Sequence, residues 1–331
     1  MICELEHKIF TTEYTEFEGL ALALFEFQYN QNPVYKQYVD LLGIDPYTIT
    51  VIDKIPFLPI DFFKTHRVST TAFQEEVIFE SSGTTQVSRS RHFIKDLAIY
   101  RHSFTKGFES FYGPIQDWCI LGLLPAYLER KNSSLVHMVN ELITMSMHQQ
   151  SGFYLYEHES LYNVLEQLQR KQQKTLLIGV TFALLDFAEN YSKPLKHVTV
   201  METGGMKGRK EEMTRSEVHS ILKTAWNLPA VHSEYGMTEL LSQAYSTGEG
   251  RFECPPRMRV LLREEDDPMT IKDAGRGLIN VIDLANIYSC SFIATDDIGL
   301  LNPDGSFEVL GRRDNSDLRG CSLMAAGYLQ Q

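Results

Sequence analysis

The chain has 331 residues, 43% hydrophobic and 22% charged, which suffices for one large domain or two modest ones and excludes a chain disordered by composition. Its 31 Lys and Arg stand against 43 Asp and Glu, a balance of −12. That argues against a nucleic-acid backbone or an anionic membrane as the main partner, so any bound polyanion needs a local basic pocket.

The longest apolar stretches, 19–25, 118–127 and 176–187, fall short of the ~20 residues of a membrane span. The opening MICELEHKIF lacks the basic charge of a signal peptide, so the expected location is the cytoplasm. Cysteines at 3, 119, 254, 290 and 321 form no C-x-x-C pair, which speaks against a disulfide framework or a structural zinc site.

Residues 11–43 read as helical, because Phe17, Leu20, Ala21, Leu24 and Phe25 recur at helical spacing before Pro33 and Gly43; they are expected to form a lid or a packing layer. Residues 52–68, IDKIPFLPIDFFKTHRV, hold Pro56 and Pro59 among large apolar groups and predict an extended segment on the surface, with no evident chemistry. From Glu75 to about Tyr245, short apolar runs (VIFE, WCILGLL, GFYLYEH, TLLIGVT, HVTVMET) alternate with helical stretches at 134–148 and 214–226. That alternation predicts crossover units on a mainly parallel sheet, and Thr214 with Glu217 has capping-box spacing. Past Arg257 the runs RMRVLLRE, GLINVIDL, SFIAT and SFEVLG predict a smaller β-rich region. The division expected is therefore 1–74 helical, 75–250 α/β and 251–331 β-rich.

Five segments could carry chemistry. In FESSGTTQVSRSRH, Ser81, Ser82, Gly83, Thr84 and Thr85 offer hydroxyls and backbone N–H groups to phosphate oxygens, with Arg89 and Arg91 following as cations. No Gly-Lys-Ser/Thr is present, so this is not a Walker loop. In ETGGMKGRK, Gly204 and Gly205 at the carboxyl end of a strand allow a flat ligand to approach the backbone. In HSEYGMTEL, Tyr235 and Gly236 follow a strand, and Thr238 beside Glu239 suits a phosphate and its Mg²⁺. In TDDIG and GRRDNSDLRG, Asp297 can accept both hydroxyls of a ribose and Arg312 can donate to the sugar or a phosphate. Each segment alone reads equally well as an ordinary turn, helix start or surface charge.

Taken in order, SSGTT, GGMKG, YGMTE, TDDIG and GRRDNSDLRG resemble the motifs of adenylate-forming enzymes, the superfamily of acyl-CoA synthetases, luciferases and peptide-synthetase adenylation domains. Within it, LPAYLERKNSSLVHM, IPFLPIDFFK and LRGCSLM resemble the LuxE-type acyl-protein synthetases. The resemblance implies the large α/β domain of that superfamily, with parallel sheets flanked by helices and a small β-rich subdomain, making 75–250 the nucleotide-binding core and 251–331 the region with a C-terminal cysteine arm.

It further implies ATP held by Ser81, Ser82, Gly83, Thr84 and Thr85 at its β- and γ-phosphates. Gly204, Gly205 and Tyr235, next to Gly236, would flank the adenine, and Asp297 and Arg312 would take the ribose. Thr238 would touch phosphate and Glu239 hold Mg²⁺, while Asp314 corresponds to the superfamily's hinge aspartate. Gln86 stands where many relatives have Gly, and Arg89 and Arg91 stand in the neighbourhood of a usual lysine. The chain ends 11 residues after Gly320, so the mobile C-terminal domain with its lysine is expected to be absent, and Arg89, Arg91, Lys207 or a partner would supply the compensating charge.

LuxE-type enzymes are acylated on a cysteine near the C-terminus, and by position this is Cys321, with Arg319 nearby to favour thiolate. The expected reaction is ATP-dependent conversion of a carboxylic acid, fatty by resemblance, to acyl-AMP, then transfer to Cys321 and on to an acyl-accepting protein, a reductase or a carrier. The alternatives are an acyl-CoA ligase that uses free coenzyme A and leaves Cys321 idle, and a non-catalytic nucleotide-binding subunit. Phe93, Phe104, Phe108, Phe111 and Tyr112 could line an acyl pocket, though their helical spacing favours core packing.

Overall fold

The computed structural model describes residues 2–11, 14–81, 89–124, 132–204 and 213–313. Helices α1 (Ile2–Thr11), α2 (Phe17–Gln31) and α3 (Pro33–Leu41) open the chain. The Asn32 side chain caps α3 by accepting from Tyr35 N, with Pro33 at its first position, where a missing N–H costs nothing. The face of α2 read from the sequence is the buried one, and Phe17, Ala21, Leu24 and Phe25 join the main core. These helices are a packing layer.

Strand β1 (Leu58–Pro59) and the short helix α4 (Phe62–Thr65) follow. Here the expectation of a surface segment fails, because Leu58 and Phe63 are fully buried and Ile55 and Phe57 nearly so. Strand β1 joins a sheet at its margin, with Pro59 opposite Ala294 and the Ile60 N–H bonded to the Ala294 carbonyl at 2.9 Å. An added edge strand tolerates proline because one of its sides needs no donors.

Strands β2 (Val77–Glu80) and β3 (Arg91–Ile94) form an antiparallel hairpin. Then come α5 (Leu97–Tyr112), β4 (Cys119–Leu123), α6 (Ser134–Ser146), β5 (Gly152–Phe153), α7 (His158–Arg170), β6 (Thr175–Gly179), α8 (Thr181–Asn190), β7 (Val198–Glu202), α9 (Arg215–Trp226), β8 (His232–Tyr235) and β9 (Ala244–Ser246). The sheet order is β5-β4-β6-β7-β8-β9, parallel except for β9. Every residue of β4 and β6 is buried, which explains their unbroken apolar runs. GFYLYEH gives only the two-residue strand β5, and the capping box at Thr214 is present.

The last region contains β10 (Arg251–Phe252), β11 (Met258–Arg263), β12 (Ile271–Lys272), β13 (Gly275–Asp283), β14 (Phe292–Leu301) and β15 (Phe307–Arg312), in the order β10-β15-β14-β13-β11-β12, with β1 parallel to β14. TDDIG is not a turn but the interior of β14, where Thr295 is 1% and Asp297 7% exposed. Among the described residues, no helix is long and apolar enough to cross a membrane.

Candidate active site

Tyr235, Asp297 and Arg312 meet although they lie on β8, β14 and β15. The Tyr235 hydroxyl donates to Asp297 Oδ2 at 2.9 Å, and Arg312 Nε donates to Oδ1 at 3.1 Å. Antiparallel pairing sets this, since Asp297 and Arg312 are register partners and such pairs stand side by side. Asp297 N–H is itself fixed by Thr295 Oγ1 at 3.2 Å. Burial and the Asp297 carboxylate push the Tyr235 phenol well above its ordinary range, so it remains a donor. Arg312 is 61% exposed in its side chain, leaving guanidinium nitrogens for a ligand.

Thr238 and Glu239 occupy the turn after β8, not the start of a helix. His92 on β3 holds this turn through its Nδ1, 2.8 Å from the Thr238 carbonyl. A carbonyl only accepts, so Nδ1 carries the proton and Nε2 is a bare lone pair, buried and without a partner among the described residues. Burial lowers the His92 pKa to about 4, which keeps the ring neutral. Asn286 Nδ2 donates to the Glu239 carbonyl at 2.8 Å. Glu239 is 4% exposed; burial raises its pKa, opposed by a hydrogen bond from Ser90 and by the charges of Arg312 and Lys64.

Ser81 and Ser90 close the base of the β2–β3 hairpin, with Ser81 N–H to the Ser90 carbonyl and Ser90 N–H to Ser81 Oγ, both 3.1 Å. Arg89 is exposed and lies 3.7 Å from Glu80 Oε2, and Arg91 is exposed beside the Phe93 ring. Ser82, Gly83, Thr84, Thr85, Gly205, Lys207, Asp314 and Cys321 lie outside the described residues. Gly204 ends the described part of its loop with φ +78°, and a Cβ there would meet nothing within 4 Å among the described residues. Its backbone is therefore open to a flat ligand. Gly236 is packed, since a Cβ would meet the Glu234 carboxylate and stand 3.2 Å from Gln243 Cγ.

The structure thus joins Tyr235, Asp297 and Arg312 directly, and joins Ser81, Thr238 and Glu239 through Ser90 and His92; Arg312 links the two groups electrostatically. Lys64 was missed. It sits on α4, within electrostatic range of Asp296 on β14 and of Glu239, and pairs with Asp61 at 2.6 Å. Nothing in IDFFK announces chemistry; only the β1–β14 pairing reveals its place. Ser90 and His92 were likewise readable only as flanks of the SSGTT loop. Phe104 and Phe108 are buried in the main core, which favours core packing for the aromatic run. Burial lifts the Cys119, Cys254 and Cys290 thiols to about 11, 12 and 12, so none is primed as a nucleophile. Among the described residues there is no cluster of three or more His, Cys, Asp or Glu suited to a metal ion, and Glu239 could contribute a carboxylate to a nucleotide-borne cation.

Among solved structures, the chain is similar to ATP-bound MatB from Rhodopseudomonas palustris, with TM-score 0.53 and 14% identity over 71% of this chain and 47% of that one. It is also similar to a long-chain-fatty-acid-CoA ligase (FadD1) from Archaeoglobus fulgidus, with TM-score 0.51 and 14% identity over 74% and 52% of the two chains. The chain spans about half the length of these structures, and at such identity the likeness shows the shared fold. Among curated proteins, it is similar to the long-chain-fatty-acid–luciferin-component ligases of Aliivibrio fischeri, 22% identical over 99% of this chain and 95% of that protein, and of Vibrio harveyi, 24% identical over 92% and 85%. The sequence profile described as "Acyl-protein synthetase, LuxE" matches residues 12–329. With the adenylate-forming fold in place and the match running through nearly every residue, the chain belongs to the LuxE family of acyl-protein synthetases and is an AMP-forming ligase.

Proposed function

We propose that this protein activates a fatty carboxylic acid with ATP and carries the acyl group on Cys321 for delivery to an acyl-accepting protein such as a reductase or a carrier. The observation that carries the reading is the convergence of Tyr235, Asp297 and Arg312, from three separated segments, beside the Glu239 turn and the open backbone of Gly204. Asp297 presents two fixed oxygens and Arg312 a partly free guanidinium, a donor–acceptor pair suited to a ribose and its phosphate.

A carboxylate is a poor electrophile because its leaving group would be oxide. In the proposed reaction its oxygen attacks the α-phosphorus of ATP, the bond to the β-phosphate oxygen breaks, and pyrophosphate leaves with the electron pair. The Cys321 thiolate then attacks the acyl carbon, and AMP departs as the carbon–oxygen bond breaks. Ser81, Ser82, Gly83, Thr84 and Thr85 supply donors to the departing phosphates, and Arg89 and Arg91 add positive charge at the rim. Tyr235 and Asp297 orient the sugar, Gly204 and Gly205 keep the adenine wall thin, and Gly236, next to Tyr235, leaves room for the Glu234 carboxylate. Mg²⁺ would be held at Glu239, next to Thr238, and supplies charge neutralisation on the phosphates. The charge of Arg312 and Lys64 beside Glu239 favours the carboxylate such a cation needs.

The test is to incubate the protein with ATP, Mg²⁺ and a panel of carboxylic acids, then weigh it intact. A mass gain of one acyl group, lost on hydroxylamine and absent in Cys321→Ser while acyl-AMP formation persists, is the expected result. Acyl transfer to coenzyme A with Cys321→Ser fully active would overturn the acceptor. No carboxylate-dependent pyrophosphate exchange into ATP would overturn the whole reading.

A further inference from the structure

Glu202 ends β7, is 5% exposed, and is given no role by the reaction above. One oxygen accepts from Thr181 Oγ1 at 2.5 Å and from Gly204 N–H at 2.6 Å. The other faces Ser233 Oγ at 3.4 Å, Arg215 Nε at 3.6 Å and His219 Nε2 at 3.9 Å. Ser233 is two residues before Tyr235 on β8 and is the register partner of Glu202. Arg215 continues to β15, where its Nη1 donates to the Val309 carbonyl at 3.0 Å, three residues before Arg312. Its guanidinium also lies over the Phe252 ring at 5.0 Å, and Phe252 packs edge-on against Tyr235.

We infer that Glu202 is a positioning residue for the nucleotide, a single buried carboxylate that ties the Gly204 turn, the Tyr235 strand and the Arg312 strand into one wall. The inference rests on the reading that these three elements hold ATP. A buried carboxylate is costly and would be replaceable by an apolar side chain if it only filled space. Here both its oxygens are engaged by groups leading to that wall. Thr181 closes the arrangement from the other side, since its N–H donates to the Gly204 carbonyl at 3.0 Å while its hydroxyl binds Glu202. Residue Gly204 is thus held at both its N–H and its C=O, one in each of the two peptide groups that flank it. Burial alone would raise the Glu202 pKa, but His219, Arg215, Thr181 and the Gly204 N–H together lower it to about 2, which keeps these bonds charge-assisted near neutral pH.

The experiment compares the full-length wild type with Glu202→Gln, Thr181→Val and Thr181→Ser, measuring ATP binding by calorimetry and the KM for ATP and for the acid in pyrophosphate exchange. Glu202→Gln is expected to weaken ATP binding about tenfold and raise the ATP KM by the same factor, with the acid KM within about twofold. Thr181→Val is expected to weaken ATP binding about threefold to fivefold, and Thr181→Ser to rescue it. If Glu202→Gln does not fold, the Thr181 pair decides the question. A folded Glu202→Gln protein that binds ATP as the wild type does, or Thr181→Val and Thr181→Ser alike in ATP affinity, overturns the inference and leaves the proposed function standing. A parallel rise of both KM values overturns it too, because a general structural defect would do the same. A wild type that neither binds ATP nor exchanges pyrophosphate overturns both.

Discussion

Arg312 and Asp297 are partners across two strands but stand in opposite environments, the first 61% and the second 9% exposed in its side chain. Arg312→Met takes from a buried carboxylate its cationic partner and leaves it the Tyr235 hydroxyl, so stability should fall by about 1–3 kcal/mol while the KM for ATP rises about tenfold. Asp297→Ala should raise the ATP KM further and also lower the melting temperature, because it strips the buried Tyr235 hydroxyl of its acceptor.

A second residue has a pH signature. Glu234 faces Tyr245 across the β8–β9 pair, with Tyr100, Tyr112 and the negative Glu202 within electrostatic range and His232 two residues away on the same strand face. Burial, with Glu202 adding, raises its pKa from 4.5 to about 8. The native state therefore holds a proton that the unfolded state releases. This contribution to stability is full below about pH 4.5 and is lost as the pH rises through about 8, with a slope of up to about 1.4 kcal/mol per pH unit. Urea denaturation at several pH values should show this slope in the wild type and lose it in Glu234→Gln.

At the scale of elements, β14 carries the chemistry on a strand whose packing leaves little latitude. A Cβ at Gly299 would lie 2.7 Å from Ile279 Cγ1 and 3.0 Å from the Glu308 carbonyl, beside the register shift between Ile298 and Gly299. Backbone on one side and a core side chain on the other cannot both move aside, so Gly299→Ala should cost about 1–3 kcal/mol in chemical denaturation. The runs that became β4 and β6 were legible because parallel strands covered on both faces are continuously apolar. The capping box at Thr214 was legible because its two bonds are local. For TDDIG a turn stayed open beside the ribose-binding reading, since acidic residues in a row signal exposure unless their partners are known, and the partner of Asp297 is Tyr235, sixty-two positions away in the chain. Residues 52–68 were misread for a related reason: prolines suggested a surface path, while the β1–β14 pairing that buries the segment is long-range. Lys64 and Glu202 owe their places to such pairings, so no local pattern could have singled them out, whereas motif order alone brought Tyr235, Asp297 and Arg312 onto one list.

Across the whole molecule, the N-terminal helices reach the candidate site through one buried amide. Gln28 on α2 is fully buried. Its Nε2 donates to the carbonyls of Asn286 at 2.9 Å and Ile287 at 3.1 Å, and its Oε1 accepts from Ser291 N–H at 2.9 Å. Asn286 in turn donates to the Glu239 carbonyl, and Asp283, at the end of β13, accepts from Leu241 and Ser242 N–H at 2.7 and 2.9 Å. The turn bearing Thr238 and Glu239 is therefore held from the 283–286 side, and that side is held by α2. Gln28→Leu keeps the apolar fit of the helix but leaves several buried backbone groups unpaired, so it should destabilise the protein by about 2–4 kcal/mol. Hydrogen exchange should locate the damage: amide protection should fall at 286–291 and also at 237–242, although Gln28 touches neither Thr238 nor Glu239. If protection is lost only around 286–291 while 237–242 keeps its wild-type rates, the helical layer stabilises the sheet without reaching the phosphate side of the site.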